Sequence, residues 1–228
     1  AFSSVVRDAK DYSLVITDPQ GVCIALPTEC MPLFVTSMPR TISILAELFS
    51  EIGLVDGDVI ITNDPWICAG HKSDIVLVAP VFSGPKLVAY VGTILHIADI
   101  GGPIGDFRAS DIYEEGLSIP PVKLIAAGQK CLEIENLILA NVRIPHQVQS
   151  DLTAMLTAIA IAKDRLTSLL QDVPQMDLTD LAKEFQIMAE RVVQEGIALI
   201  PDDTYQAELT IDGPPNAEQI DSYDPVRL

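Results

Sequence analysis

Two apolar runs, Ile75–Phe82 and Leu87–Leu95, flank the four residues Ser83-Gly84-Pro85-Lys86. Runs of this length on either side of a Gly-Pro turn form a β-hairpin, and both are too short to cross a bilayer as helices. A hairpin also fixes where its ends go, because the entry of the first strand and the exit of the second lie side by side. His71 and Asp74 precede the first strand, and His96 and Asp99 follow the second. The hairpin therefore brings these four residues to one edge, although they are far apart along the chain.

Imidazole and carboxylate together form the ligand set that zinc, manganese or iron takes in a site with open positions. A cation held there polarises a carbonyl or lowers the pKa of water. The plain alternative is that these polar residues only cap strand ends. Asn63-Asp64-Pro65, delivered by the short apolar run Val59–Ile61, is by default a turn in which Asp64 bonds its own backbone. Its functional reading is a carboxylate that orients a ligating histidine. His146 reads as a solvated or capping residue. Cys68 lacks the base and oxyanion site that a nucleophilic thiol needs.

The remainder reads as α+β: a β-hairpin-rich N-terminal half followed by long amphipathic helices. Tyr12–Thr17 and Val22–Leu26 form a hairpin around Asp18-Pro19-Gln20-Gly21, and apolar residues at helical spacing predict a helix over Thr41–Ile52, stopped by Gly53. Gly101–Pro121 is poor in periodicity, and Cys131–Ala140 gives no clear pattern. Val148–Leu170 reads as a long amphipathic helix. A second helix follows over Leu178–Ile197, with Asp177 or Thr179 as cap, and then a possible strand over Tyr205–Ile211.

Charge excludes several partners. The 228 residues carry 14 basic and 32 acidic side chains, a formal net charge of -18. Such a surface repels phosphate backbones and anionic lipid headgroups, so neither nucleic acid nor a membrane surface is expected as a partner. Cys23, Cys30, Cys68 and Cys131 form no C-x-x-C pair, and no signal peptide is visible, so free thiols in a cytoplasmic protein are expected. The Gly-rich stretch Asp99–Gly105 is neither G-x-G-x-x-G nor a Walker A sequence. Any ATP chemistry would thus belong to another chain.

Several stretches resemble one family, the hydantoinase B/oxoprolinase proteins. The segment from Asp64 to Asp74, DPWICAGHKSD, resembles the family's N-D-P-Y-x-G-G-T-H-x-P-D, and Pro80-Val81-Phe82 its P-V-F. His96-Ile97-Ala98-Asp99-Ile100-Gly101-Gly102 is similar to H-H-A-D-I-G-G, with Ile97 in place of the second histidine. The run from Glu115 to Leu124 matches E-G-L-x-I-P-P-x-K-L, Asn141-Val142-Arg143 with Pro145 resembles N-x-R-x-P, and Asp151-Leu152 resembles G-D-L.

The resemblance implies a B-type subunit that works in a hetero-oligomer beside an A-type, ATP-binding subunit. That partner phosphorylates a small cyclic amide or ketone. The B-type subunit then opens the activated ring or, in ketone carboxylases, joins the ketone to a carboxyl group. It also implies a divalent metal (zinc, manganese or magnesium) on His71, Asp74 and His96, completed by Asp11, with Asp64 and Asp99 close enough for general-base work. ATP would sit on the partner. Family B-type subunits are much longer, so residues 1–200 are expected to be the N-terminal part of the catalytic domain, and 201–228 the truncated start of a further β-containing region. The first function implied is ATP-dependent hydrolysis of a hydantoin, 5-oxoproline or lactam. The alternatives are a ketone carboxylase subunit and a non-catalytic structural or regulatory fragment.

Overall fold

A computed structural model describes residues 3–103 and 109–208. The chain divides into two units, Ala1–Ile187 and Met188–Leu228. The first is built on a seven-stranded sheet with the order β2-β1-β5-β4-β3-β6-β7, in which every neighbouring pair is antiparallel. The strands are β1 (Tyr12–Thr17), β2 (Cys23–Ala25), β3 (Val59–Thr62), β4 (Asp74–Ser83), β5 (Lys86–His96), β6 (Val122–Ala126) and β7 (Gln129–Lys130).

The β4–β5 hairpin lies in the middle of the sheet, and Ser83 pairs with Lys86 around a two-residue turn. Its run of Val, Ile and Leu is unbroken because both of its faces are covered. Ile75, Leu77, Ala79 and Val81 join Val91 and Leu95 against α2 (Leu132–Ala140) and α3 (Pro145–Asp172). Val76, Val78 and Ile94 point the other way, onto Phe34, Met38, Ile42 and Leu45 of α1 (Pro32–Leu48). Leu77 is fully buried, and cutting it to Ala would cost about 2–5 kcal/mol in transfer energy and cavity.

Helix α1 begins nine residues before the expected Thr41 and ends at Leu48 instead of Ile52. Pro39 masks its continuity in the sequence, yet the buried stripe Phe34, Met38, Thr41, Ile42, Leu45 runs straight through it. Pro39 removes the N–H that Val35 O would accept, and Val35 lies on an exposed turn where water can replace it. Leu48 and Ile52, which match the helical spacing, are exposed. The short hairpin β6–β7 is also not evident from sequence. Its turn is Ala127-Gly128, both at positive φ, and is held by Asp58, which accepts the Ala127 N–H at 2.8 Å.

Helix α3 extends the expected Val148–Leu170 by a turn at its N-terminus. Helix α4 (Leu178–Ala198) begins where expected, with Asp177 Oδ1 accepting the Thr179 N–H at 2.9 Å. Leu178 and Ala182 are buried in the core of the first unit. In the second unit, the end of α4 leaves Val192, Val193 and Ile197 exposed. Residues 205–208 form no strand, and the rest of the expected Tyr205–Ile211 strand lies outside the described residues. No described helix is long and apolar enough to cross a membrane.

Candidate metal centre

Asp74 opens β4 and His96 closes β5, and the register pairs them directly. Opposed residues share a face, here the face that carries α1. The His96 N–H donates to Asp11 O at 3.0 Å, which extends the pairing to the residue before β1. Asp11 and His96 are thus neighbours across the β1–β5 seam. His71 lies three residues before Asp74 in a turn locked by the Ile97 N–H, which donates to Ser73 O at 2.9 Å.

Three side-chain atoms converge. His71 Nε2 and His96 Nδ1 are each 3.0 Å from Asp74 Oδ1, and 3.3 Å from one another. Ligand atoms about 2.0–2.2 Å from a tetrahedral or octahedral cation stand roughly 3.0–3.4 Å apart, so the triangle has the dimensions of one face of a coordination shell. Asp11 Oδ2 lies 3.9 Å from His96 Nδ1, on the edge of the same cluster. Access is graded: the Asp74 side chain is 3% exposed and forms the floor, while those of His96 and His71 are 26% and 44% exposed at the rim.

The electrostatics follow from this arrangement. The hydrogen bond to Asp74 raises the His71 pKa against the effect of burial, and the charges of Asp74, Glu115 and Asp11 add to the rise. Burial pushes the Asp74 carboxyl up, but hydrogen bonds from His71 and His96 outweigh it and hold the group below the usual range. Burial raises the Asp11 carboxyl, which lacks such direct partners. The cluster is a carboxylate clamped between two imidazoles. A cation would take the place of the direct contacts among the three facing atoms.

Two residues outside the candidate ligand set hold the His71 loop. Asn63 is fully buried; its Nδ2 donates to Lys72 O and Leu117 O at 2.8 and 2.9 Å, and its Oδ1 accepts the Ile119 N–H at 2.7 Å. Lys72 is 2% exposed, with Nζ donating to Gly116 O at 2.9 Å and its own N–H to Glu115 Oε2 at 2.9 Å. The adjoining backbones come so close that a side chain at Gly116 would collide with the Ile100 carbonyl. From the other side, α1 supports the loop through Thr41 Oγ1, which donates to Ile67 O at 2.7 Å. A lysine in a loop signals solvent, so nothing in the sequence marks Lys72. Asn63 is visible there only as part of a turn.

The other candidates make contacts of their own. Asp64 caps its own turn, its Oδ1 accepting the Trp66 N–H at 3.0 Å. Asp99 is buried, and its Oδ1 accepts from Arg143 Nη1 at 2.9 Å and from the Gly101 N–H at 3.0 Å. Its Oδ2 accepts from the backbone of Arg143 and Ile144. Among the described residues, the group with metal-ligand spacing is His71, Asp74 and His96, and Asp99 is not part of it. The Cys68 thiol is buried and pushed up to about 12, chiefly by that burial. His146 is exposed on the first turn of α3.

The model of the family described as hydantoinase B/oxoprolinase matches residues 1–227. This chain belongs to that family. Among the family's members, the beta subunit of caprolactamase from Pseudomonas jessenii is 33% identical over 206 residues, which cover 89% of this chain and 35% of that protein. The crystal structure of the ATP-dependent caprolactamase of that organism matches with a TM-score of 0.79 at 32% identity, over 89% of this chain and 36% of that one. The B-type subunit of a putative D-/L-hydantoinase from a Pseudomonas species is 27% identical over all of this chain and 38% of its own. A nucleotide-free acetone carboxylase shares the fold, with a TM-score of 0.67 at 20% identity over 75% of this chain and 23% of that one. This hydantoinase B-type chain therefore spans little more than a third of the length of the bacterial hydrolase subunits it matches.

Proposed function

We propose that this chain forms the metal-holding end of a B-type subunit in an ATP-dependent cyclic-amide hydrolase, which opens a hydantoin, 5-oxoproline or lactam ring after an A-type partner has phosphorylated it. The observation that carries this reading is the His71–Asp74–His96 triangle at the solvent-accessible end of the central strands β4 and β5. Two imidazoles and a carboxylate favour zinc or manganese over magnesium, which prefers oxygen ligands and keeps much of its water. When bound, the cation supplies Lewis acidity toward the substrate's carbonyl or phosphoryl oxygen.

This chain's own residues orient and move protons. Asp74 fixes both rings from below, and Asp11 supplies a further oxygen next to His96. Asp64, with one oxygen committed to its turn, is the candidate general base. Asp99, with both oxygens engaged, positions the loop after His96 by gripping Arg143. ATP sits on the A-type partner, and the active species is a hetero-oligomer. The named relatives that support hydrolysis are a caprolactamase and a hydantoinase, whereas the likeness to the acetone carboxylase is one of fold alone.

The test combines the B-type protein carrying this chain with its A-type partner, ATP, and each of hydantoin, 5-oxoproline, caprolactam and acetone, with and without bicarbonate. The expected result is ring-opened product with ADP, independent of bicarbonate and abolished by His96→Ala. Turnover of a ketone that requires bicarbonate would overturn the hydrolase reading, as would ring opening that survives His96→Ala.

A further inference from the structure

Asp151 is the only charged member of the buried stripe of α3, which otherwise holds Val148, Leu152, Met155, Ile159 and Leu166. Its Oδ1 accepts the Ser3 N–H at 3.2 Å. Its Oδ2 is buried and has no hydrogen-bond partner among the described residues. An apolar side chain would avoid that cost, so core packing does not explain a carboxyl group at this place.

What Asp151 grips is the start of a strap. Ser3 is itself buried, its O accepts the Arg7 N–H at 3.0 Å, and its Oγ accepts the Val6 N–H at 3.3 Å. These bonds open the π-helical turn Val5–Ala9, in which no side chain is fully buried. Such turns are rare and frequent at functional sites. Lys10 ends the turn in the left-handed region, at φ 53°, and leads into Asp11. A lysine resists that conformation, and the turn has little packing of its own, so its two ends must be held. The His96 N–H holds the far end through Asp11 O, and Asp151 holds the near end. The strap thus runs from α3, on one side of the sheet, to the cluster on the side that carries α1, where Asp11 Oδ2 lies 3.9 Å from His96 Nδ1.

We propose that Asp151 is a positioning residue for Asp11: by gripping Ser3, it fixes the strap that presents the Asp11 carboxylate to the cation. The inference rests on the reading of the cluster as a metal centre. Asp151 touches neither cation nor substrate and acts through the strap.

The probe is zinc. Its affinity is measured by chelator competition on the native chain, Asp11→Ala, Asp151→Ala and the double variant, with folding checked by circular dichroism. Asp11→Ala and Asp151→Ala should each weaken binding roughly 10–100-fold. The double variant should bind no more weakly than Asp11→Ala, because the two changes remove the same contribution. Asp151→Asn, which keeps an oxygen for the Ser3 N–H, should bind within about twofold of the native chain. If Asp151→Ala does not fold, Ser3→Pro, which deletes the N–H instead, takes its place. Native affinity in that variant would overturn the inference. So would an equal loss with and without the Asp11 carboxylate, since a general loosening of the fold acts in both backgrounds. Native affinity in Asp11→Ala would overturn the role of Asp11 and this inference, leaving the metal centre standing. A native chain that binds no zinc would overturn the metal centre itself, and the inference with it.

Discussion

The Asp74 carboxylate and the His96 imidazole meet as directly opposed residues of the β4–β5 ladder, with Oδ1 3.0 Å from Nδ1. Their spacing is thus set by strand register rather than by a loop. A slip of one residue would send one of them to the opposite face of the sheet. The buried alternation of β4 and β5 prevents that slip, because each face packs against its own helices. The core therefore also positions the candidate ligands.

This clamp makes the metal-free chain sensitive to pH. Asp74 is held low by His71 and His96 in spite of burial, so its contribution is present above the unfolded value of about 3.9 and is lost as pH falls through the folded one. His71 is held high by Asp74, so its contribution is complete below about 6.5 and is lost as pH rises through its raised folded value. After chelation, the melting temperature should fall as pH rises from about 6 through that window, and His71→Gln should flatten the decline. Melts recorded across the pH series would contradict the clamp if the two proteins declined alike.

Asn63→Ala should weaken the site without removing a ligand. Its three buried hydrogen bonds tie the His71 loop to residues 117–119. Their loss should cost about 3 kcal/mol of stability. Loosening the loop should lower metal affinity roughly 10–100-fold, the usual effect of removing a group that orients ligands. Chelator competition measures the affinity and urea unfolding the stability. Unchanged affinity in a destabilised variant would show that the loop holds His71 without Asn63.

Asp99 and Arg143 should behave as a coupled pair. Arg143 Nη1 and the backbone of residues 143 and 144 all donate to the Asp99 carboxylate. Asp99→Ala removes the buried carboxylate that all of these donors share and should destabilise more than Arg143→Ala. The double variant should be less destabilised than the sum of the two by about 1 kcal/mol or more. Strict additivity in a double-mutant cycle would mean that the contact contributes nothing, and would return Asp99 to consideration as a proton acceptor.

Much of the fold is legible in the sequence because local signals and the core agree. The β4–β5 hairpin and β3 are continuous apolar runs, and α3 and α4 carry a helical period. The hairpin alone gathers residues 71, 74 and 96, but the same argument also gathers Asp99, which the structure pairs with Arg143 instead. Long-range pairings are hidden. Nothing near Asp99 announces Arg143, and nothing near Lys72 announces Gly116 or Glu115. Pro39 suggests a boundary that tertiary packing overrides. The Ala127-Gly128 turn lacks the Asn-Gly signature and depends on Asp58, nearly seventy residues away.

Asp58 supports the far edge of the sheet. Burial pushes its carboxyl up, but hydrogen bonds from Lys123 and from the Val55 and Ala127 N–H groups hold it below the usual range. Asp58→Ala should cost about 3 kcal/mol, mostly by leaving those donors unpaired. In the native protein, this stability should disappear as pH falls below about 4, where the unfolded carboxyl takes up its proton first. Urea unfolding at about pH 7 and about pH 3 would show it as a difference between native and variant that is present at the first and diminished at the second.

The central claim is that one divalent cation sits among His71, Asp74 and His96. Elemental analysis of the purified chain after dialysis against zinc or manganese tests it directly, with His71→Ala and His96→Ala alongside and folding checked by circular dichroism. One equivalent of metal in the native chain, and almost none in folded variants, is the predicted result. Equal metal content in all three proteins, or none in the native chain, would contradict it.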